Sequence, residues 1–260
     1  MSEVHDVDDG VTAGGLTFWT YDWVPDGPRG FVRDLRLRWA AEEAGLAHEI
    51  RTVPFEGREA NHLDRQPFGQ VPYLEDGDIR LFESGACLLH LAGKSERLMP
   101  REPSAAAETL QWFFAALNSI EMVSVPWWFL KLSGHEDNPL GGWMDKRLVQ
   151  LESVLAGRDW LAAGRFTVAD LIMADVLRIP KLRAHGDRPA TEAYVTRITG
   201  RPAFLKAHAD QMAHFGEADR SRKSSAREDP RWKFGPGVRA PAAGVFPCHA
   251  LNASVGTNQG

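Results

Sequence analysis

The sequence predicts an α/β domain followed by an all-helical domain. Strand and helix patterns alternate over residues 16–93, whereas residues 104–216 show a helical spacing of apolar residues and no strand pattern. Residues 94–103 contain two prolines and mixed charges, which is typical of a linker. With 260 residues, of which 43% are hydrophobic, the chain is long enough to form two cores.

Charge and composition restrict the possible partners. The formal charge of −5 is spread along the chain, which argues against nucleic-acid binding and a polybasic membrane contact and favours a small soluble partner. Residues 1–15 predict a flexible acidic leader, and no apolar stretch is expected to span a bilayer, so we expect a cytoplasmic protein. Cys87 and Cys248 are far apart and predict neither a disulfide framework nor a metal site.

The α/β domain is predicted to begin with a strand over residues 16–20, which are rich in aromatic and β-branched residues. Residues 21–30 contain two prolines and two glycines and therefore predict a loop. A helix is then expected from near Phe31 to Ala44, with Gly45 as its end. Its apolar residues lie on two faces, which suits a helix packed between a sheet and a second domain.

The rest of this domain follows a recognisable order. Residues 48–53 predict a second strand, and residues 55–66 a short helix or loop. Asp76-Gly77 predicts a tight turn between two further strands, and residues 85–92 form a helical run. Strand, helix, strand, hairpin and helix is the order of a thioredoxin-like domain, which we expect over residues 16–93.

Two features beside the hairpin suit a peptide-like ligand. Pro72 lacks an N–H group, so the backbone at Val71 is left as an edge with which another chain could pair. Glu83 and Ser84 open the following helix, whose first amides have no partner within the helix and attract carboxylates.

A Val-Pro pair entering a hairpin, followed by Glu-Ser at a helix start, resembles the glutathione-binding half of the glutathione transferase family. The resemblance implies that Pro72 is cis and that the backbone of Val71 binds the cysteinyl part of glutathione. It also implies that Glu83 and Ser84 hold the γ-glutamyl end, with Gln70 a further candidate. The alternative is a hairpin that leads into an ordinary capped helix, because short motifs of this kind are weak alone.

The second domain is predicted from helix signals. Ser104 is expected to cap a helix that runs to Val125, and Pro126 is expected to kink or end it. A further helix is predicted over residues 140–156. Two more, each with a proline near its start, are predicted at 189–199 and from Arg201 to about Phe215.

A capping box is predicted at Thr167 and Asp170, and Phe166 and Leu171 are placed to form a hydrophobic staple around it. This motif also resembles the glutathione transferase family, in which it supports folding. Residues 217–260 are rich in Ser, Arg, Pro and Gly and predict a flexible tail.

Glutathione chemistry requires a thiolate, which a donor, a cation or a helix N-terminus must stabilise. The resemblance places that group in the loop after the first strand, where the family has Tyr, Ser or Cys, but here Phe31 stands near the helix-start position. Tyr21 is the nearest phenol, and Arg29 and Arg33 lie where the helix dipole disfavours cations unless an anion is bound. We therefore name Tyr21 and Arg29 as catalytic candidates. The alternative is a packed loop tyrosine and solvated arginines.

Aromatic residues cluster at the start of the helical domain. Trp112, Phe113 and Trp127 are candidates for an apolar substrate pocket at the domain junction. The alternative is that they belong to the core, as most aromatic residues at helical spacing do.

The resemblance implies a cytoplasmic detoxification enzyme that uses glutathione as co-substrate, without a metal, against a small hydrophobic electrophile. The reaction would be conjugation or a related substitution, isomerisation or disulfide reduction, and the protein would be a homodimer. Two alternatives remain: a non-catalytic glutathione-binding or assembly protein of the same fold, and a binder of small molecules that does not use glutathione.

Overall fold

The computed structural model describes residues 15–56, 60–132, 134 and 138–228. The strands are β1 (Leu16–Tyr21), β2 (Glu49–Val53), β3 (Tyr73–Asp76) and β4 (Ile79–Phe82). The α-helices are α1 (Asp34–Ala44), α2 (Ala60–Arg65), α3 (Ser84–Gly93), α4 (Pro103–Ala115), α5 (Met122–Leu132), α6 (Gly141–Leu155), α7 (Val168–Leu177), α8 (Pro180–Arg183), α9 (Pro189–Thr199) and α10 (Pro202–Glu228). A π-helical segment, Ala116–Glu121, joins α4 to α5.

The four strands form one sheet in the order β2-β1-β3-β4. β1 and β2 are parallel, whereas β1–β3 and β3–β4 are antiparallel. Together with α1, α2 and α3 this sheet is the predicted thioredoxin-like domain, and the helices after it form the predicted all-helical domain. The Val71–Pro72 peptide bond is cis, as the resemblance implied.

The first helix starts later than the sequence predicted. α1 begins at Asp34 rather than near Phe31, because residues 26–33 form a series of turns. In these turns the Phe31 amide donates to the Pro28 carbonyl, and Gly30 has a φ of 77°, a left-handed conformation that only glycine adopts without cost. The start of α1 therefore depends on the course of the preceding loop.

The long helix of the second domain differs from its prediction at both ends. Its N-cap is Glu102, whose carboxylate accepts hydrogen bonds from the amides of Ser104 and Ala105, so Ser104 is not the cap. Pro126 does not end the helix but lies inside α5. The π-helical segment just before α5 changes the rotation of the helix, so the following side chains point in other directions than they would in an uninterrupted α-helix.

By length and composition, Pro103–Lys131 could cross a membrane, contrary to the sequence-based expectation. Core helices of soluble proteins have the same composition, and this one buries Phe113, Ile120 and Val123 in a hydrophobic cluster shared with the α/β domain.

The capping box is confirmed: the Thr167 amide donates to Asp170 Oδ2 over 2.9 Å, and the Thr167 hydroxyl oxygen accepts from the Ala169 amide. The end of the described chain differs from its prediction. α10 continues to Glu228, so residues 217–228 are helical and not part of a flexible tail. Contacts of this extension with the loop after β1 explain why the helix continues, and residues 229–260 lie outside the described residues.

Candidate active site

The N-terminus of α3 presents unpaired backbone amides. Glu83, the residue before the helix, has a φ of 66° and makes no side-chain cap. In the described part of the chain the amides of Ser84, Gly85 and Ala86 have no acceptor, since the first helical bond runs from Cys87 to the Glu83 carbonyl. A non-glycine residue in this conformation is strained, and such strain is concentrated at functional sites.

Val71 provides a second set of free backbone groups. Its N–H and C=O have no hydrogen-bond partner among the described residues, and it is only partly buried. Pro72 beside it is buried, whereas Gln70 is exposed. An extended peptide could therefore pair with this edge in the way that a strand is added to a sheet.

Ser84 is held from behind by a buried arginine that the sequence analysis missed. Arg36 Nη1 donates to the Ser84 hydroxyl oxygen over 3.1 Å. Since that oxygen accepts from Arg36, the Ser84 hydroxyl hydrogen is free to donate to a ligand. The spacing of Arg36 on α1 offered no local signal, because its partner lies 48 residues away.

Arg36 belongs to a buried network of charges between the two domains. Its Nε donates to Asp175 over 2.6 Å and its Nη2 to Glu121 over 2.7 Å. Arg178 donates to the other oxygen of Asp175 over 2.8 Å, and the more exposed Arg33 pairs with Glu121. Charge-assisted hydrogen bonds with a planar guanidinium are strong, and they also fix the relative positions of the groups that they join.

The network keeps its members charged. Burial would raise the pKa of Asp175, but the charges of Arg178 and Arg36 outweigh it and lower that pKa to about 2. Burial would lower the pKa of Arg36, but Asp175 and Glu121 raise it. A positive guanidinium therefore stands directly behind Ser84.

Tyr21 is the last residue of β1 and not a loop residue. It pairs with Val53 in the parallel register with β2, whereas the antiparallel pairing of β1 with β3 ends at Trp19 and Tyr73. The Tyr21 ring is half-buried and meets the Phe55 ring edge-on at 5.3 Å. This candidate therefore lies at the end of β1, where the segment that leads to α1 begins.

The structure gives Arg29 a different partner from the one expected. Its guanidinium makes two hydrogen bonds with Asp219 of α10, over 2.6 and 2.8 Å, and its side chain is only 10% exposed. The anion that we expected to be a ligand is therefore a carboxylate of the protein itself, and Arg29 is not placed to hold the thiol. This contact could not be predicted from a segment that we had interpreted as a tail.

The start of α1 offers another means of stabilising an anion. In the described chain the amides of Val32, Arg33 and Asp34 have no hydrogen-bond acceptor, and the Arg33 side chain is 42% exposed. Phe31, near the position of the family's Ser or Cys, has no donor in its side chain and lies under the Arg178 guanidinium at 4.5 Å.

Two of the three predicted pocket aromatics lie elsewhere. Trp127 is 2% exposed and packs on His185 inside the helical domain, and Trp112 lies beside Arg158 at 5.7 Å. The π-helical segment explains the error for Trp127, because it changes the helical phase that the spacing assumed.

Phe113 is fully buried but does lie at the domain junction. A β-carbon at Gly85 would lie 3.7 Å from the Phe113 ring and 3.0 Å from Leu117. Phe114 packs edge-on against Phe113 and is 47% exposed. Leu117 therefore borders the α3 N-terminus, and Phe114 adds an exposed aromatic side chain beside Phe113; neither residue was predicted from the sequence.

A thioredoxin-like domain with a cis X-Pro bond before β3, joined to an all-helical domain, is the fold of glutathione transferases. Sequence models of this family match two parts of the chain: the glutathione S-transferase N-terminal domain matches residues 27–93, and the C-terminal domain matches residues 143–202. Glutathione S-transferase 1 from Zea mays is 37% identical over 199 residues, which cover 67% of this chain and 90% of that protein. This chain belongs to the glutathione S-transferase family and is a glutathione transferase.

Solved structures agree in fold. A glutathione transferase from Pseudomonas putida, with one glutathione disulfide bound per subunit, has a TM-score of 0.64 at 21% identity and covers 75% of this chain and 91% of its own. The yeast prion protein Ure2p in complex with glutathione has a TM-score of 0.63 at 19% identity and covers 75% and 98%.

Proposed function

We propose that this protein binds glutathione along Val71 and at the N-terminus of α3, and that it directs the glutathione thiolate onto a small apolar electrophile. The observation that carries the proposal is the group of free α3 amides next to the strained, exposed Glu83 and the open backbone of Val71. The sulfur would bond to the electrophilic carbon while the leaving group departs with its electron pair.

The residues fit the parts of glutathione by charge. The γ-glutamyl carboxylate would accept from the amides of Ser84 and Gly85 and from the Ser84 hydroxyl, with the charge of Arg36 behind it. The Glu83 carboxylate would hold the ammonium group, and the backbone of Val71 would pair with the cysteinyl residue. Leu117 and Phe114 would border the electrophile.

Replacement of Glu83 by glutamine is expected to weaken glutathione binding about tenfold to a hundredfold, because a hydrogen bond to a charged group contributes about 1.5–3 kcal/mol. Calorimetric titration with glutathione measures this change. Asp78→Asn, at the exposed opposite end of the hairpin, is the matched control and should leave the dissociation constant unchanged. An equal affinity of Glu83→Gln and the parent protein would contradict the proposed site.

We propose the Tyr21 hydroxyl as the donor to the thiolate, because Tyr21 is the last residue of β1 and begins the segment that leads to the free amides of α1. Tyr21→Phe should raise the pKa of the bound thiol by about one unit or more, since one lost hydrogen bond to an anion amounts to about 1.5–3 kcal/mol. Ultraviolet absorbance of the thiolate in the complex, followed against pH, measures the shift.

Arg33→Met tests whether the start of α1, and not the Tyr21 hydroxyl, stabilises the glutathione thiolate. If Tyr21→Phe leaves the thiol pKa unchanged while Arg33→Met raises it, the start of α1 stabilises the thiolate and the proposal for Tyr21 is wrong. The free amides of residues 32–34 make this the specific alternative.

A non-catalytic glutathione-binding or assembly protein is the second candidate function. Phe31 favours it, because this residue brings no hydroxyl or thiol to the start of α1. An unshifted thiol pKa in the complex of the parent protein with glutathione would support this candidate over the transferase reaction.

We further propose a cytoplasmic homodimer with a role in detoxification. Two exposed aromatic side chains support a subunit interface: Phe68 is 67% exposed, Phe82 is 38% exposed, and their ring centroids are 6.3 Å apart. A content of two cysteines is typical of a reducing compartment. Light scattering gives the mass in solution, and a monomer would contradict the dimer.

A further inference from the structure

The segment between β1 and α1 is attached to α10 along its whole length. His214 of α10 lies 3.0 Å from the Tyr21 carbonyl oxygen through its Nε2. Eleven residues further along the chain, Gln211 donates to the Val32 carbonyl over 3.0 Å and also to Asp34. Both ends of the segment that borders the proposed thiol site are therefore held by one helix.

Asp219 holds the middle of the segment. Its two carboxylate oxygens accept two hydrogen bonds from the Arg29 guanidinium, and Oδ1 accepts another from Trp23 Nε1 over 2.8 Å. The same guanidinium donates to the Val24 carbonyl over 2.9 and 3.1 Å. Arg29 thus connects Asp219 to the backbone of the segment itself.

A close approach at Gly30 makes the fit between segment and helix specific. A β-carbon at Gly30 would lie 2.7 Å from His208 Nε2, a distance that real β-carbons do not adopt. A larger residue at this position would have to displace the His208 side chain, and it would also be strained in the left-handed conformation that Gly30 has here.

The helix extension that carries Asp219 is not part of the core. Phe215 is the last fully buried hydrophobic residue of the described chain, and Asp219 is 31% exposed. Asp219 contacts Trp23 and Arg29 of the segment between β1 and α1. Its bonds consequently offset part of the conformational entropy that this irregular segment loses when its backbone is held in place.

We propose that Asp219 is a positioning residue for the thiol site: through Arg29 and Trp23 it holds residues 22–33 so that Tyr21 and the first amides of α1 face the glutathione sulfur. This inference rests on the proposed function. It assigns a role in the reaction to a helix extension that contacts the segment through Asp219, Arg29 and Trp23.

The test uses the full chain with glutathione and compares Asp219→Asn with two matched variants. Glu217→Gln removes an exposed carboxylate from the same turn, and Asp219→Glu keeps the charge. We expect Asp219→Asn to raise the pKa of the bound thiol by about one unit, which is a tenfold fall in the ratio of thiolate to thiol, with the dissociation constant of glutathione changed less than about threefold. In Glu217→Gln the pKa of the bound thiol should equal that of the parent protein. In Asp219→Glu, which keeps the charge, this pKa should lie close to that of the parent protein.

A purely structural role would lower the thermal unfolding temperature and leave the thiol pKa of the folded complex unchanged, which would overturn the inference. If Asp219→Asn does not fold, Trp23→Phe gives the same test, because it removes the indole donor to Asp219. If the parent protein does not lower the pKa of the bound glutathione thiol, the proposed transferase reaction and the inference are both wrong. If the parent protein lowers this pKa, and Asp219→Asn and Trp23→Phe lower it equally, only the inference is wrong.

Discussion

Replacement of Arg36 by methionine is expected to lower the free energy of unfolding by about 3–5 kcal/mol, because it removes the buried guanidinium that bridges the carboxylates of Asp175 and Glu121. Methionine fills much of the same volume, so the loss reflects the charges and not a cavity. We also expect weaker glutathione binding, since Ser84 loses the donor that orients its hydroxyl. Urea unfolding and calorimetric titration measure the two effects.

Arg33→Met is the matched control for stability. Arg33 pairs with the same Glu121 but is 42% exposed, and exposed ion pairs contribute only about 0–1 kcal/mol. Arg36→Lys keeps the positive charge but lacks the planar set of donors of a guanidinium. We therefore expect it to lower the free energy of unfolding, but by less than Arg36→Met does. A loss below about 1 kcal/mol for Arg36→Met would mean that this network contributes little to the junction between the domains.

Asp170→Ala should lower the free energy of unfolding by about 3–5 kcal/mol through the loss of several buried hydrogen bonds at once. The carboxylate is fully buried and accepts from the Leu161 amide, the Thr167 amide and the Tyr194 hydroxyl, each over 2.9 Å. Each of these buried donors would be left without a partner. Urea unfolding followed by circular dichroism measures the change.

Thr167→Ala provides the comparison within the same capping box. It removes a single N-cap side chain and should lower the free energy of unfolding by about 1 kcal/mol. Asp159→Ala, at an 82% exposed carboxylate nearby, should change it by less than about 0.5 kcal/mol. Equal losses for Asp170→Ala and Thr167→Ala would show that the inward bonds of Asp170 to Leu161 and Tyr194 add nothing.

Several features that depend on neighbouring residues were predicted correctly from the sequence. The predicted hairpin turn connects β3 and β4, although its two turn residues are Gly77 and Asp78, α9 has the predicted bounds, and the Thr167–Asp170 capping box opens α7. Turns and caps are formed by side chains within a few residues of the backbone groups that they satisfy, so their signals are contiguous.

Features that depend on distant partners were not predicted. Arg36 meets Asp175 across 139 residues, and Arg29 meets Asp219 across 190. The prediction that residues 217–228 belong to a flexible tail was wrong for the same reason. Their composition did not indicate that Asp219 would bind Trp23 and Arg29 on the loop after β1.

The two-domain fold and the short motifs around Val71-Pro72 and Glu83-Ser84 could be predicted from the amino-acid sequence, since these rest on local backbone preferences. The charges that meet behind Ser84, and the helix that holds the segment before α1, became known from the three-dimensional arrangement of the chain. The physical reason is that ion pairs and hydrogen bonds between domains need complementary positions in space, and spacing along the chain does not encode them. The aromatic residues show the same limit, because a π-helical segment of 6 residues was enough to turn Trp127 away from the junction.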